Sequence, residues 1–272
     1  MTVPTLFGTV LFYLYHDAHI LFLKKGVCAF MKSWKRLIAF RVCLLCFVLS
    51  FAVFIGYTVY SFSFLSETAS TKTETSARTV ILDAGHGDMD GGAVGKNGLL
   101  EKEINLSITK KIKKLLKSQG IQVIMTRETD SFIGDKTLSS LAERKKSDMK
   151  ARLRIMQEQT NGIFISIHQN YFVNTSNNGA QVFYSPNHEN GEHLANTIQN
   201  SIVKHIQPEN TRKSKVSDHT IYLLRNATIP AVIVECGFLS NRKEAEKLNK
   251  DSYQNQMAFS IFSGILDYFS ME

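Results

Sequence analysis

Cysteine is scarce in this chain, and its distribution excludes a disulfide-rich fold. Only one of the four cysteines, Cys236, lies beyond residue 65, so no disulfide can form within the C-terminal part. Cysteine usage therefore assigns no redox compartment. The four prolines and 16 glycines follow no period, which excludes collagen-like and low-complexity classes. With 44% hydrophobic residues among 272, the chain can bury the core of one large domain or two small ones.

The larger part of the chain also lacks a strong excess of either charge. The formal net charge is +8, but six basic residues and one acidic residue lie within positions 1–65. The remainder holds 26 basic and 23 acidic residues, a net charge of +3. Such a balance is ordinary for a globular domain, so we expect no nucleic-acid partner.

Charge is absent altogether from residues 42–64, VCLLCFVLSFAVFIGYTVYSFSF. This run is long enough for a transmembrane helix, and basic residues precede it, so residues 1–41 should stay in the cytoplasm while the rest is exported. No small-x-small cleavage site follows, which favours an uncleaved signal anchor over a cleaved signal peptide. A buried core helix is the remaining alternative.

The segments on either side of the anchor show no sequence pattern of a folded domain. Residues 1–30 form a shorter apolar stretch broken by His16, Asp17 and His19, whereas Met31 opens MKSWKRLIAF, a typical basic start of a signal sequence. Our hypothesis is that translation starts at Met31; a peptide from within residues 1–30 of the native protein would refute it. Residues 65–78 are rich in Ser, Thr and charge and predict a linker.

The remaining residues, 79–270, predict an α/β fold. Alternating strands and helices indicate a single three-layer domain, in which helices flank a central, mostly parallel or mixed sheet and the membrane helix precedes it. In the helix at 141–159, Arg and Lys are expected on the outer face. Strand patterns lie at 79–82, 121–126, 162–168, 179–184 and 231–234, and the other helical patterns lie at 99–118, 193–206 and 253–269.

Three predicted strands end in residues that can bind a metal or move a proton. They are VILDAGH ending at His86, IFISIH at His168 and AVIVE at Glu235. Sheets of this class collect their sites beyond the carboxyl ends of the strands. With Glu101, at the start of the first long helix, the two histidines would make a three-ligand zinc site with a fourth position open for water. Glu235 would then take a proton from that water.

Each of these residues also has a structural explanation when taken alone. His86 could serve a turn, His168 could close a buried strand, and Glu101 complements the dipole of its helix. Glu235 follows four apolar residues and would be an unpaired buried charge without a partner or a chemical role. Cys236 is explained as a small buried residue rather than a thiol nucleophile. Glu103 is expected to be solvated, and surface or loop positions are expected for His16, His19, His188, His193, His205 and His219.

Four segments, in order, resemble the zinc-dependent N-acetylmuramoyl-L-alanine amidases of the Amidase_3 family. They are VILDAGHGDMDGGAVGKNGLLEKEINL, VIMTRETD at 123–130, SIHQN at 166–170 and IYLLRNATIPAVIVECGFLSN at 221–241. The resemblance covers nearly all of residues 79–270 and implies that His86, Glu101 and His168 bind one Zn²⁺ while Glu235 is the general acid and base. The implied reaction hydrolyses the amide that joins the lactyl group of N-acetylmuramic acid to L-alanine of peptidoglycan stem peptides.

Within that family, the chain resembles the branch that acts on the spore cortex of endospore-forming bacteria. The segment TRKSK at 211–215, the single N-terminal anchor and the lack of a wall-binding repeat carry this resemblance. It implies an extracytoplasmic site, between the forespore membranes in sporulating cells, and a role in forming muramic δ-lactam. Some exported hydrolases need a partner, so an activating lipoprotein or cell-wall protein is a further expectation.

Several residues next to the motifs differ from the usual family pattern and are expected to affect the substrate cleft. Asp88 and Met89 replace a usual glycine, and Gln169 and Tyr171 replace small residues, so the shape of the cleft and its glycan preference are expected to differ.

Two residues are tentative substrate-binding positions. Asn170 follows the second histidine, and Arg225 matches an arginine near the family's cleft. Arg225 could hold a substrate carboxylate or polarise the scissile carbonyl. A structural salt bridge is the alternative for this arginine.

Many of these sequence features are also compatible with other functions. The domain could be a weakly active wall-binding or partner-activated module, a vegetative wall-remodelling amidase, or an exported metalloenzyme acting on another amide or ester. All four site residues are present, which favours an active amidase. The lysines at 110–117 are read as the solvated face of an amphipathic helix rather than a polyanion site.

Overall fold

A computed structural model describes residues 41–58, 78–95 and 98–271, and it divides the chain into two units, Met1–Thr73 and Glu74–Glu272. In the first unit, helix α1 (Arg41–Thr58) has a mean hydropathy of 2.0 and no buried residues. Its length and composition allow it to cross a membrane. The proposed start at Met31, the last residues of the predicted anchor and the linker up to residue 77 lie outside the described residues.

The second unit is built on a mixed six-stranded sheet in the order β2-β1-β3-β6-β4-β5. The neighbouring pairs β2/β1, β1/β3 and β3/β6 are parallel. β4 runs antiparallel to β6 and parallel to β5. The mostly parallel sheet predicted from the sequence is therefore confirmed. The strands are β1 (Thr79–Ala84), β2 (Gln122–Met125), β3 (Gly162–Asn170), β4 (Gln181–Tyr184), β5 (Lys215–Val216) and β6 (Ala231–Phe238).

Helices cover both faces of this sheet, which confirms the three-layer prediction. One face packs against α2, α4 and α7 in a large hydrophobic cluster, and we call it the apolar face. The other face packs against α3 and α5 in a smaller hydrophobic cluster. We call it the polar face because polar and charged residues lie on it at the carboxyl ends of the strands. The helices are α2 (Glu101–Ser118), α3 (Leu141–Gln157), α4 (Gly191–His205), α5 (Tyr222–Arg225), α6 (Arg242–Leu248) and α7 (Asp251–Ser270).

Strand alternation decides which residues reach each face. In β1, Val80 and Leu82 join the cluster of the apolar face, while Ile81 joins that of the polar face. In β3, Phe164 is likewise on the polar face. Because side chains alternate along a strand, residues an even number of positions after Ile81 or Phe164 also point toward α3. This places Asp83 and His168 on the polar face.

The sequence predictions need correction at several elements. β5, α5 and α6 were not predicted, and β3 and β6 continue beyond the predicted ends at 168 and 234. The expectation that Arg and Lys lie on the outer face of α3 is wrong for Arg152, which is only 2% exposed. Arg154 on the same helix is exposed, as expected. Arg152 faces inward because the buried carboxylate of Asp83 and the carbonyl group of Ala84 lie opposite it.

Candidate active site

A tight turn after β1 delivers His86 to the carboxyl end of the sheet. His86 has a φ of 63°, in the left-handed region that few non-glycine residues adopt. Gly85 precedes it, and a Cβ atom at that position would lie 2.2 Å from Nε2 of His168. Glycine at this position therefore allows the turn and the second histidine to approach each other.

His86, Glu101 and His168 come together as the sequence predicts. His86 Nε2 lies 3.2 Å from Glu101 Oε1, and His168 Nδ1 lies 2.9 Å from the same oxygen. One ligand atom from each residue lies within 4.8 Å of the others. Two imidazole nitrogens and a carboxylate oxygen form a donor set that suits Zn²⁺ in a catalytic site. The residues present therefore fit a zinc ion.

Hydrogen bonds fix the carboxylate of Glu101, which is only 3% exposed. Its Oε2 accepts from the backbone N–H of Ala93 at 2.8 Å, and its Oε1 accepts from the N–H of Gln169 at 3.0 Å. Asn105, one turn further along α2, donates to Oε1 at 3.2 Å. Burial raises the pKa of Glu101, but hydrogen bonds from His168 and His86 lower it more, so the net pKa is far below its usual range. Glu101 is therefore ionised, as a metal ligand must be.

Asp90 orients the ring of His86. Its Oδ2 lies 2.9 Å from His86 Nδ1, which leaves Nε2 directed toward Glu101. A carboxylate behind a ligating histidine is a common support of zinc sites. Burial lowers the pKa of His86, but hydrogen bonds to Asp90 and Glu101 raise it more, to about 9. A metal ion bound through His86 would have to displace this proton.

Glu235 occupies the adjacent strand beside the candidate ligands. It pairs in parallel register with His168, so the two side chains lie on the same face of the sheet. Its Oε2 is buried and has no hydrogen-bond partner among the described residues. Burial raises the pKa of Glu235 to about 7, against the opposing effect of His168. A carboxyl group with a pKa near neutrality can both accept and return a proton.

A cavity of about 550 Å³ opens onto these four residues. Asn170 lines it, as do Met89 and Tyr171 at two of the positions that depart from the family pattern. These exposed apolar side chains stand at the cavity wall beside the ligand-bearing segments. Met89, Gln169 and Tyr171 therefore lie where they can affect the shape of the cleft, whereas Asp88 does not line the cavity.

Arg225 does not line the cavity. Its guanidinium group lies 5.7 Å from the ring centroid of Tyr222, which does line it, and donates to the carbonyl of His219 at 3.3 Å. Among the described residues, no carboxylate forms an ion pair with Arg225. The alternative of a structural salt bridge thus finds no support in the described part of the chain.

Residues 80–267 match the family described as Amidase_3, N-acetylmuramoyl-L-alanine amidase. The chain belongs to this amidase family. The germination-specific N-acetylmuramoyl-L-alanine amidase of Bacillus subtilis (strain 168) is 36% identical over 226 residues, which cover 83% of this chain and 94% of that protein. The resemblance to spore amidases is therefore confirmed, and the chain is a peptidoglycan amidase.

Solved structures of related amidases share its fold. The CwlD amidase from Clostridioides difficile, in complex with the GerS lipoprotein, is 38% identical with a TM-score of 0.69 and covers 72% of this chain and 100% of its own. The catalytic domain of CwlV from Bacillus (Paenibacillus) polymyxa var. colistinus is 30% identical with a TM-score of 0.59, over 72% of this chain and 99% of its own. These similarities confirm the predicted fold class.

Most of the other sequence predictions about reactive residues fit the structure of this amidase. Cys236 is buried, and burial raises its pKa above the usual range, which disfavours the reactive thiolate. Glu103 is exposed, as expected. His16 and His19 lie outside the described residues. Of the remaining histidines, His205 and His219 are exposed and His188 lies in a loop, as expected. His193 differs, because it is half-buried on α4 beside Tyr268.

Sequence reasoning missed the residues that support the amidase site. Asp90 could have been found from its place four residues after His86, and Asn105 from its place one helical turn after Glu101. Arg127 follows β2 and Arg152 lies within α3, so both are far from His86 in the sequence. Only the tertiary structure shows that their guanidinium groups reach the carbonyls of the turn at His86.

Proposed function

We propose that this chain is a zinc-dependent amidase that cleaves between N-acetylmuramic acid and L-alanine of peptidoglycan stem peptides. One observation carries the proposal. His86, Glu101 and His168 converge within 4.8 Å, and the buried, unpaired Oε2 of Glu235 lies in the same cavity. Three ligands beside a free carboxylate with a raised pKa match the requirements of amide hydrolysis.

In this reaction, a zinc ion held by the three ligands would polarise the lactyl carbonyl and lower the pKa of water. Glu235 accepts a proton from the attacking water, whose oxygen forms a bond to the lactyl carbonyl carbon. The bond between this carbon and the alanine nitrogen then breaks, and Glu235 returns the proton to that nitrogen. The products are a lactyl carboxylic acid on the glycan and a stem peptide with a free L-alanine amine.

Two further residues are proposed to bind the substrate. Asn170 lines the cavity and carries an amide that can donate to a peptide carbonyl. Arg225 is exposed, and its neighbour Tyr222 lines the cavity, so its guanidinium group could bind a stem-peptide carboxylate beyond the reaction centre.

We also propose that residues 42–64 anchor the enzyme in a membrane and that residues 65–78 tether the catalytic domain, residues 79–270, outside the cytoplasm. The support is the apolar composition of α1 and the basic residues that precede the anchor. A membrane tether would restrict the domain to peptidoglycan within reach of the linker.

The biological setting that we propose is the spore cortex, where the product would feed muramic δ-lactam formation. The similarity to the germination-specific amidase of Bacillus subtilis supports this setting. The CwlD amidase forms a complex with the lipoprotein GerS, which supports an activating lipoprotein or wall partner here as well. An enzyme with little activity alone is the second candidate, and the same observation favours it.

The test distinguishes the proposed metal ligands from Glu235, the residue proposed to transfer the proton. The full chain, purified in detergent, is compared with His168→Ala, Glu235→Gln and a control, Glu103→Gln, on the exposed side of α2. Zinc content and the release of stem peptides from peptidoglycan are measured. We expect His168→Ala to lose zinc and activity, and Glu235→Gln to keep zinc while its rate falls by about 100-fold or more.

The control should match the wild type in both measurements. A Glu235→Gln enzyme with the full rate would remove the proposed role of Glu235. Full zinc content in His168→Ala would remove His168 from the ligand set. If the wild type binds zinc but releases peptide only after the partner lipoprotein is added, the second candidate is correct.

A further inference from the structure

We infer that Arg152 is a positioning residue that holds the backbone of His86 in the conformation required for metal binding. This inference rests on the proposed zinc site. It assigns a task to the buried arginine of α3, which the proposed chemistry does not use. The residue acts through His86 and does not itself bind the metal or the substrate.

The backbone at His86 needs external support. Its φ of 63° lies in the left-handed region, where a side chain with a Cβ atom is disfavoured. Such conformations persist when surrounding contacts fix them, and they concentrate at functional sites. In this turn the conformation decides where the imidazole of His86 points, and therefore whether its Nε2 meets Glu101 and His168.

Arg152 supplies that support from across the polar face. Its Nη2 donates to the carbonyl of His86 at 2.8 Å, and its Nη1 donates to the carbonyl of Ala84 at 2.9 Å. One planar group therefore binds the turn at both ends. Among the described residues, no other side chain donates to the carbonyl of His86.

Two carboxylates hold the guanidinium group itself in place. Nε of Arg152 donates to Oδ2 of Asp148 at 2.7 Å, and Nη1 also donates to Oδ1 of Asp83. Asp83 is fixed in turn by the hydroxyl groups of Ser166 and Thr126, each at 2.6 Å. A guanidinium group presents its donors in a rigid fork, whereas a lysine ammonium is a point charge on a flexible chain.

Stability alone does not explain this arrangement. A buried ion pair is weak evidence for stability, because desolvation offsets much of the attraction. Arg127 also binds the turn, but it reaches the carbonyls of Ala84 and Gly85 and not that of His86. Arg152 is thus distinguished by its bond to the ligand residue.

The test measures zinc affinity by competition with a chromophoric chelator. It uses the full chain in detergent, at a temperature where circular dichroism shows each variant to be folded. We expect Arg152→Met to bind zinc about 10-fold to 100-fold more weakly than the wild type, as for other residues that orient metal ligands. The matched control is Arg154→Met, the same substitution at an exposed arginine of α3 that has no bond to the turn. Its zinc affinity should stay within about twofold of the wild type.

Arg152→Lys decides the matter if Arg152→Met does not fold. Lysine keeps the charge between Asp83 and Asp148 but cannot reproduce the bonds to both carbonyls, so we expect at least fivefold weaker zinc binding. Wild-type affinity in a folded Arg152 variant would overturn the inference alone, and so would an equal loss in Arg154→Met. If the wild type binds no zinc, the proposed metal site fails, and the inference fails with it.

Discussion

The two faces of the sheet divide stability and function between them. The apolar face packs against α2, α4 and α7 through aliphatic and aromatic side chains. The polar face has a smaller apolar cluster, and toward the carboxyl ends of its strands it holds Asp83, Arg152 and the candidate active site. One well-packed face can thus support a second face whose buried charged groups cost stability.

The same strands serve both faces by alternation. In β6, Val234 and Cys236 join the apolar cluster, whereas Glu235 between them lines the cavity. In β3, Ile167 lies in the apolar cluster next to His168. A change at one residue of a strand should therefore affect either stability or metal binding, according to its face.

The largest effect on stability is expected from the apolar face. Ile108 is fully buried on α2, and Ile108→Ala should lower the free energy of unfolding by about 4 kcal/mol through lost burial and a cavity. Denaturant titration measures this change. Zinc affinity of the folded variant should match that of the wild type, and a large fall in affinity would contradict the division between the faces.

A smaller effect, dependent on pH, is expected from Asp83 on the polar face. Burial raises the pKa of Asp83, but Arg152 and the hydroxyl groups of Ser166 and Thr126 lower it more, so the net pKa falls below 3.8. A carboxyl group with a lowered folded pKa stabilises the protein above its unfolded pKa. This stabilisation is lost as the pH falls through the folded pKa, at acidic pH below about 4.

Asp83→Asn should therefore lower the free energy of unfolding at pH 7 by about 3 kcal/mol, since it weakens a buried ion pair. It should also flatten the loss of stability below about pH 4. Denaturant titrations of both proteins from pH 2 to pH 7 measure the difference. Parallel curves over this range would show that Asp83 does not contribute as an ionised group.

The smallest effect is expected at the start of α3. The hydroxyl group of Ser140 accepts from the N–H of Glu143 at 3.2 Å and forms a capping box with that residue. Ser140→Ala should cost about 1 kcal/mol of stability. Zinc affinity should be unchanged if α3 keeps Arg152 in place, and a large loss would mean that the end of this helix also controls the site.

Much of the fold and the candidate ligands could be predicted from the sequence. Parallel strands bring their carboxyl ends to one edge, so His86, His168 and Glu235 could be expected to meet. The short elements β5 and α5 could not be predicted, because two or four residues cannot display a period. Arg152 could not be predicted either, since its partner Asp83 is distant in sequence and α3 is otherwise rich in exposed basic residues.

The most direct test of the central claim is the release of stem peptides by the full chain from purified peptidoglycan, read by mass spectrometry with and without a zinc chelator. We expect free peptides that begin at L-alanine, loss of this release with chelator and its recovery when zinc is added back. Release that persists after zinc has been removed would contradict the assignment of His86, Glu101 and His168 as a catalytic zinc site.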